Sequence, residues 1–180
     1  MGECSGRLKN EEILSQRLLL WPVTLPLADA ILAGDFRSLS ARGLSRAKGW
    51  PRGDTLEIMS FLLISGEMAG PCWLIVKKND LSIIGDLGCK GQPGPEGEVE
   101  IGYGIVSGAR ARGYGTEAVK ALIRWLGSWP QVCSIAAECI IDNQPSRRLL
   151  KRVGMQLEER DGHLLRWRMS TVSPDWHSTE

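Results

Sequence analysis

Glu98-Val-Glu-Ile-Gly-Tyr-Gly-Ile-Val-Ser-Gly-Ala-Arg110-Ala-Arg-Gly-Tyr-Gly-Thr-Glu-Ala-Val119 is the stretch that decides how this chain folds. Its first part, to Val106, alternates apolar residues with polar or small ones and reads as a strand. A short basic loop rich in glycine follows, and from Thr116 the apolar residues recur at helical spacing. Strand, glycine loop and helix in that order leave free backbone N–H groups and a positive helix end at one point, which is where phosphate binds. Arg110 and Arg112 add formal charge there. The stretch predicts a site for a pyrophosphate-bearing cofactor.

The bulk composition makes such a site a local matter. The chain has 180 residues, 43% apolar and 24% charged, enough for one domain with a real core. A net charge of +1 sets up no global field for nucleic acid or an anionic membrane, so neither is an expected partner. Cys4, Cys72, Cys89, Cys133 and Cys139 form no C-x-x-C pair, which points to a reducing compartment and away from a disulfide scaffold or zinc site. With only His163 and His177 available, no metal centre is expected. The first residues lack an apolar signal core, Gly6 breaks a myristoylation pattern, and no run reaches the length of a membrane span. The expectation is a cytoplasmic protein.

Working outward from the decisive stretch, Gln16 to Val23, Cys72 to Lys77, Ser82 to Cys89, Glu98 to Val106 and Val132 to Ile141 read as strands in that order. A closing hairpin, Gln156 to Arg160 and His163 to Met169, turns at Asp161-Gly162. Helices are expected at Leu27 to Ala33, Thr55 to Ser65, Thr116 to Trp125 and Pro145 to Val153, the last with proline in its first turn and Gly154 past its end. Residues 35 to 53 read as a mobile loop with some helix. The fold class is α+β: an antiparallel meander feeding a strand–helix–strand–helix unit. Residues 1–12 are expected to be a loose tail, 13–170 a single domain and 171–180 a second tail.

Gly113-x-Gly115-x-x-Ala118 has the spacing of a dinucleotide fingerprint, but it lies behind antiparallel strands with too little chain after it for a nucleotide-binding half-sheet. Arg110-x-x-Gly113-x-Gly115 instead resembles the R/Q-x-x-G-x-G/A acetyl-CoA loop of the GNAT acyltransferase superfamily. The start at Leu18–Pro22, IIGD at 83–86, EIGYGI at 100–105, RGYGTEAV at 112–119, Asp142-Asn143-x-x-Ser146-x-x-Leu149 and Gly154-Met155 fall in the family's order. The likeness covers roughly residues 14 to 169 and is closest to the RimJ/RimL type, the ribosomal-protein N-terminal acetyltransferases.

That resemblance implies a mixed, mostly antiparallel sheet, flanked by helices and splayed between its fourth and fifth strands, here Glu98–Val106 and Val132–Ile141. The pantetheine arm would lie in the splay as a false strand. Tyr103, Gly104, Ile105 and Val106 would offer it backbone partners, one N–H serving as oxyanion donor. Gly102 and Gly104 would allow a close approach or a bulge. The amides of Arg110, Ala111, Arg112, Gly113, Tyr114, Gly115 and Thr116 would cradle the pyrophosphate, with charge in reserve on Arg147, Arg148, Lys151 and Arg152. Asn143 and Ser146 match positions beside the arm, and Asn143 also reads as a helix cap.

Glu138, five residues before Asn143, matches a catalytic glutamate of some relatives, and Glu100 on the other splaying strand is its rival as general base. Either also reads as a salt-bridged strand residue. Leu150 stands where some relatives carry a tyrosine that protonates the departing thiolate. A thiol with a pKa near 8.5 leaves tolerably without one. The implied activity is direct acetyl transfer from acetyl-CoA, as co-substrate, to a primary amine: a protein N-terminus or a small molecule. An α-amine is roughly a tenth neutral at pH 7 and a lysine side chain about once in 2,500, a difference of about 3.5 kcal/mol that favours amines of lower pKa. Residues 25–65 are where such a family encodes its acceptor, and Trp21 and Trp50 read either as pocket lining or as cover for the core. Dimers are frequent in this branch, which implies a homodimer. The rival class is a non-catalytic acyl-CoA-binding module, with Leu150 in its favour.

Overall fold

The computed structural model describes residues 7–171. The tail expectations for residues 1–6 and 172–180 lie outside the described residues. In chain order the elements are β1 (Ile13–Leu14), β2 (Leu18–Pro22), α1 (Leu25–Leu32), α2 (Arg37–Ala41), β3 (Ser45–Arg46), α3 (Gly53–Ser65), β4 (Cys72–Lys77), β5 (Ser82–Cys89) and β6 (Glu98–Ile105). Then come α4 (Tyr114–Gly127), β7 (Ser134–Ile140), α5 (Gln144–Arg152), β8 (Gln156–Asp161) and β9 (Leu164–Ser170).

All the strands join one sheet in the order β1-β2-β4-β5-β6-β7-β9-β8, with β3 running parallel to the start of β5. Every neighbouring pair on the main path is antiparallel except β6 and β7. The sheet is thus the mixed, mostly antiparallel one expected. The parting strands are sixth and seventh because two short ones, β1 and β3, carried no period of their own.

β4 is central, and its apolar run Cys72–Val76 is buried on both faces, as a covered strand requires. α4 lays Ala118, Val119, Leu122, Ile123 and Leu126 against the sheet. Trp73 and Trp125 meet edge to face at 5.0 Å, and Trp129 continues the stack at 5.4 Å. α5 begins at Asn143, whose side-chain oxygen accepts the Ser146 N–H at 3.2 Å.

Two expectations need correction. Residues 7–12 are not loose: Leu8 is buried, and its N–H donates to the Gln92 side chain at 2.9 Å. Glu11 supplies the acceptors that the buried indoles of Trp73 and Trp125 need, at 2.6 and 2.9 Å. Nor is 35–53 a mobile loop. Leu39, Leu44 and Trp50 anchor it in the core, and Ser45 and Ala47 donate to the Leu81 and Ile83 carbonyls at 3.0 Å each.

Candidate active site

β6 and β7 pair over only four positions, from Glu98 with Ser134 to Ile101 with Ala137, and then part. On its other side β6 stays in register with β5 from Ile101 to Ile105 without a shift. Lys90 N–H donates to the Glu100 carbonyl at 2.8 Å and Val106 N–H to the Ile84 carbonyl at 2.9 Å. In an antiparallel pair these bonds fall on alternate residues. Residues 100, 102, 104 and 106 therefore turn their backbone groups to β5, and Tyr103 and Ile105 turn theirs into the opening. Of the four expected backbone partners, Gly104 and Val106 are ruled out as donors on this ground. The Ile105 carbonyl is already held by Arg110 Nε at 2.9 Å. There is no bulge at Gly102 or Gly104.

Past Val106 the chain makes a 3-10 turn at Ser107–Ala109 and then two left-handed residues, Ala111 at φ 58° and Gly113 at φ 81°, before α4 begins. Alternating backbone handedness points successive N–H groups inward, as in an anion nest. α4 has no side-chain cap, and its first internal bond runs from Glu117 N–H to the Gly113 carbonyl at 3.0 Å. The N–H groups of Tyr114, Gly115 and Thr116 lie ahead of it and have no partner within the helix. Gly115 lets α4 approach α5 closely, since a Cβ there would sit 3.0 Å from the end of the Leu149 side chain.

One residue that braces this loop was not anticipated. Arg17 gives its backbone N–H and its Nε to Glu117 at 2.6 Å each, gives Nη1 to the Arg112 carbonyl at 3.1 Å, and lies 4.6 Å over the Tyr114 ring. The Ser15 hydroxyl adds a bond to Glu117 at 2.8 Å. Burial alone would raise the Glu117 carboxyl, and these bonds outweigh it and hold it below its ordinary range. The basic residues of α5 keep apart from this brace. Arg147 reaches the Ile141 carbonyl at 3.1 Å, and Arg148, Lys151 and Arg152 face solvent or the helix surface.

Strand alternation sorts the remaining side chains onto opposite faces of the opening. On the α4–α5 face, Tyr103 Oη lies 2.6 Å from Ser146 Oγ. Burial, with Cys139 nearby, pushes the Tyr103 hydroxyl up to about 12 against the pull of Ser146, so it stays protonated. Leu150, one turn beyond Ser146, is fully buried. On the other face stand Glu98, Glu100 and Glu138. Lys90 contacts Glu100 and lies 3.7 Å from Glu138; Arg166 contacts Glu98 and lies 3.5 Å from Glu138. Both expected carboxylates thus sit together, a quarter exposed and each matched by a cation.

The same face holds a second group, whose pairing sequence periodicity does not reveal. Asp86 lies directly across from Gly104, wholly buried, and Thr55 of α3 donates to its Oδ2 at 2.5 Å. Arg52 Nη2 is 3.8 Å from Asp86 Oδ1, and the buried Trp50 indole N–H faces this carboxyl without closing a bond. The guanidinium lies against Gly104 so closely that a Cβ there would be 1.8 to 2.0 Å from its atoms. Cavities of about 460 and 440 Å³ are lined mostly by residues of the 25–65 region, and the first of them reaches Trp50.

A mixed sheet parted between two parallel strands, with α4 starting beside the parting, is the architecture of an acetyltransferase domain, and the chain belongs to the GNAT acetyltransferase domain family, whose model matches residues 17–156. It is 31% identical over 158 residues to the uncharacterised N-acetyltransferase YjdG of Bacillus subtilis, a match covering 85% of this chain and 94% of that one. Among solved structures it resembles the ribosomal-protein-S5-alanine acetyltransferase of Vibrio fischeri (TM-score 0.65, 17% identity, 93% of this chain and 99% of that). It also resembles RimL, the ribosomal L7/L12 α-N-protein acetyltransferase solved with coenzyme A (TM-score 0.64, 18% identity, 89% and 98%). The fold is the one these RimL-type enzymes share.

Proposed function

We propose that the protein is an acetyl-CoA-dependent N-acetyltransferase that passes the acetyl group directly to a primary amine, in the cytoplasm and without a metal. The observation that carries this reading is the division of labour across the opening: backbone donors in the sheet plane, carboxylates on one face, hydroxyls on the other.

The residues present fit the co-substrate. The nest from Ala111 to Gly113 and the first turn of α4 would hold the pyrophosphate, with Arg112 at hand. Tyr103 and Ile105 would pair with the pantetheine arm, and the Ile105 N–H would stabilise the acetyl oxygen as it gains charge. An amine reaching the thioester from the carboxylate face would lose its proton to Glu138 or Glu100, directly or through water. The departing sulfur would take its proton from the opposite face, where Tyr103 and Ser146 form a hydroxyl pair. That pair supplies what Leu150 cannot. It was not anticipated as an acid because its members lie 43 residues apart.

The second reading, a binding module without chemistry, is favoured by the ion pairs that occupy both carboxylates. Acetyl-CoA-dependent thiol release, measured with free-N-terminus peptides, N-blocked lysine peptides and small primary amines, decides between them. Release with one pool supports the enzyme and names its acceptor class. Calorimetric binding of acetyl-CoA with no release in any pool supports the module.

A further inference from the structure

We infer that Arg52 reads the acceptor, and that it does so by taking a carboxylate carried beside the reacting nitrogen, so that the acceptor is a free α-amino acid. The inference rests on the N-acetyltransferase reading above and narrows it.

Position comes first. Gly104 lies between Tyr103 and Ile105, the two residues whose backbone faces the opening. The Arg52 guanidinium is pressed onto Gly104 from the carboxylate face, with 1.8 to 2.0 Å between its atoms and the place a Cβ would occupy. It therefore stands about one residue spacing from the point of transfer, on the side from which the amine would come. In an α-amino acid the carboxyl carbon is two bonds from the nitrogen, which suits that separation.

The anchoring is one-sided. Arg52 N–H donates to Thr55 Oγ1 at 3.3 Å, and buried Asp86 lies behind the guanidinium with its Oδ1 unpartnered at 3.8 Å. In front, Nη2 holds Asp54 Oδ2 at 2.5 Å, and Asp54 is 60% exposed where Arg52 is 16%. A carboxylate of the protein's own thus occupies the outward side of the guanidinium, on a side chain that can swing into water. A substrate carboxylate entering there would take over the same bonds.

The charge count agrees. Burial raises the Asp86 carboxyl, helped by Asp54, against the Thr55 bond, the Arg52 charge and the Trp50 indole dipole, while the Cys72 thiol lies on the same face of neighbouring β4. Asp54, at 2.5 Å, is nearer the guanidinium than Asp86, at 3.8 Å, and exchanging one carboxylate for another preserves the balance. An acceptor that is only a cation gains nothing from Arg52, since like charge disfavours the protonated amine beside it. A planar guanidinium fork is the group best shaped for a carboxylate.

The experiment compares each common amino acid with its own carboxamide in the native protein and in Arg52→Gln, Arg52→Lys and Asp54→Asn. Melting curves control for folding. In parallel, amino acid is titrated calorimetrically into protein saturated with coenzyme A. At least one amino acid should exceed its amide in kcat/KM by roughly 10- to 100-fold, the range of a charge-assisted bond. Arg52→Gln should bring that ratio toward one through KM, Arg52→Lys should keep part of it, and Asp54→Asn should raise it. A loss shared equally by acid and amide would mean a merely structural role and overturns the inference. Turnover of peptides, polyamines or amides with no preference for a carboxylate also overturns it, yet leaves the N-acetyltransferase reading standing. No turnover with any amine and no heat from any amino acid refutes both.

Discussion

Glu117→Gln tests whether the glycine loop ahead of α4 is held from the far end of the chain. In the native fold the Glu117 carboxylate accepts three bonds, from the Ser15 hydroxyl and from the N–H and Nε of Arg17, at 2.6 to 2.8 Å, and its side chain is only 16% exposed. Bonds to a charged group contribute about 1.5–3 kcal/mol each when shielded, and less where one partner is exposed, as Arg17 is. Adding the favourable place of an acid in the first turn of α4, the amide variant should lose about 3 kcal/mol. For a chain of this size that lowers Tm by about 6–12 °C.

The pH dependence has a definite sign. A carboxyl held below its unfolded value of 4.5 contributes stability that is present above that value and lost as pH falls through the folded one. The gap between native and variant melting curves should be constant above about pH 5 and close as pH is taken toward 3. Calorimetry should show weaker coenzyme A binding in Glu117→Gln and in Arg17→Met alike, with the double variant little worse than either. A variant melting within a degree of the native protein at pH 7, or a gap unchanged at pH 3, would refute this account of the brace.

Three further outcomes are expected. Tyr103→Phe and Ser146→Ala should each lower kcat, the former by about 100-fold, with little change in KM for the amine. Because its hydroxyl is held up to about 12, the native protein should also lose stability between pH 10 and 12 in a way that Tyr103→Phe does not. Gly85→Ala and Gly104→Ala should differ sharply in melting temperature. A Cβ at Gly85 meets the Gly104 carbonyl at 2.0 Å, where backbone must move, whereas at Gly104 the nearest atoms are those of the Arg52 guanidinium, a side-chain end that can shift without moving the backbone. The raised carboxyl of Asp86 makes Asp86→Asn gain on the native protein as pH rises from 4 to 7, read from melting curves across that range.

The glycine turn between β6 and α4 was legible because its determinants are local: two glycines, two arginines and the first turn of a helix within a dozen residues. The parting of the strands was legible only through family resemblance, since nothing in Glu98–Ile105 marks where pairing with β7 stops. Which backbone groups face the opening depends on register with β5, and that parity excluded Gly104 and Val106. Arg17 and Glu117 lie 100 residues apart and join only because the start of β2 lies beside the first turn of α4. Their signal was faint: an acid in the first turn of a helix otherwise set up to bind anions. Asp86 was more visible, a carboxylate in the middle of the apolar strand IIGDL, where burial demands a partner. That the partner is Arg52 follows from how α3 lies across β5, which periodicity does not reveal. That Glu100 and Glu138 share one face follows from their strands, but Lys90, just past β5, and Arg166 of β9, which pair with them, are brought there only by the sheet order.

Because β6 and β7 pair at only four positions, the sheet carries two bare strand margins in its middle instead of at its rim. Exposed margins invite pairing with other chains, and proteins usually blunt them. Here the four paired positions act as a hinge pin: they fix the margins in place and leave too short an approach for a foreign strand to run along either. A margin that would be a hazard at a rim is here kept short and enclosed within the sheet, between strands that each remain paired on their other side.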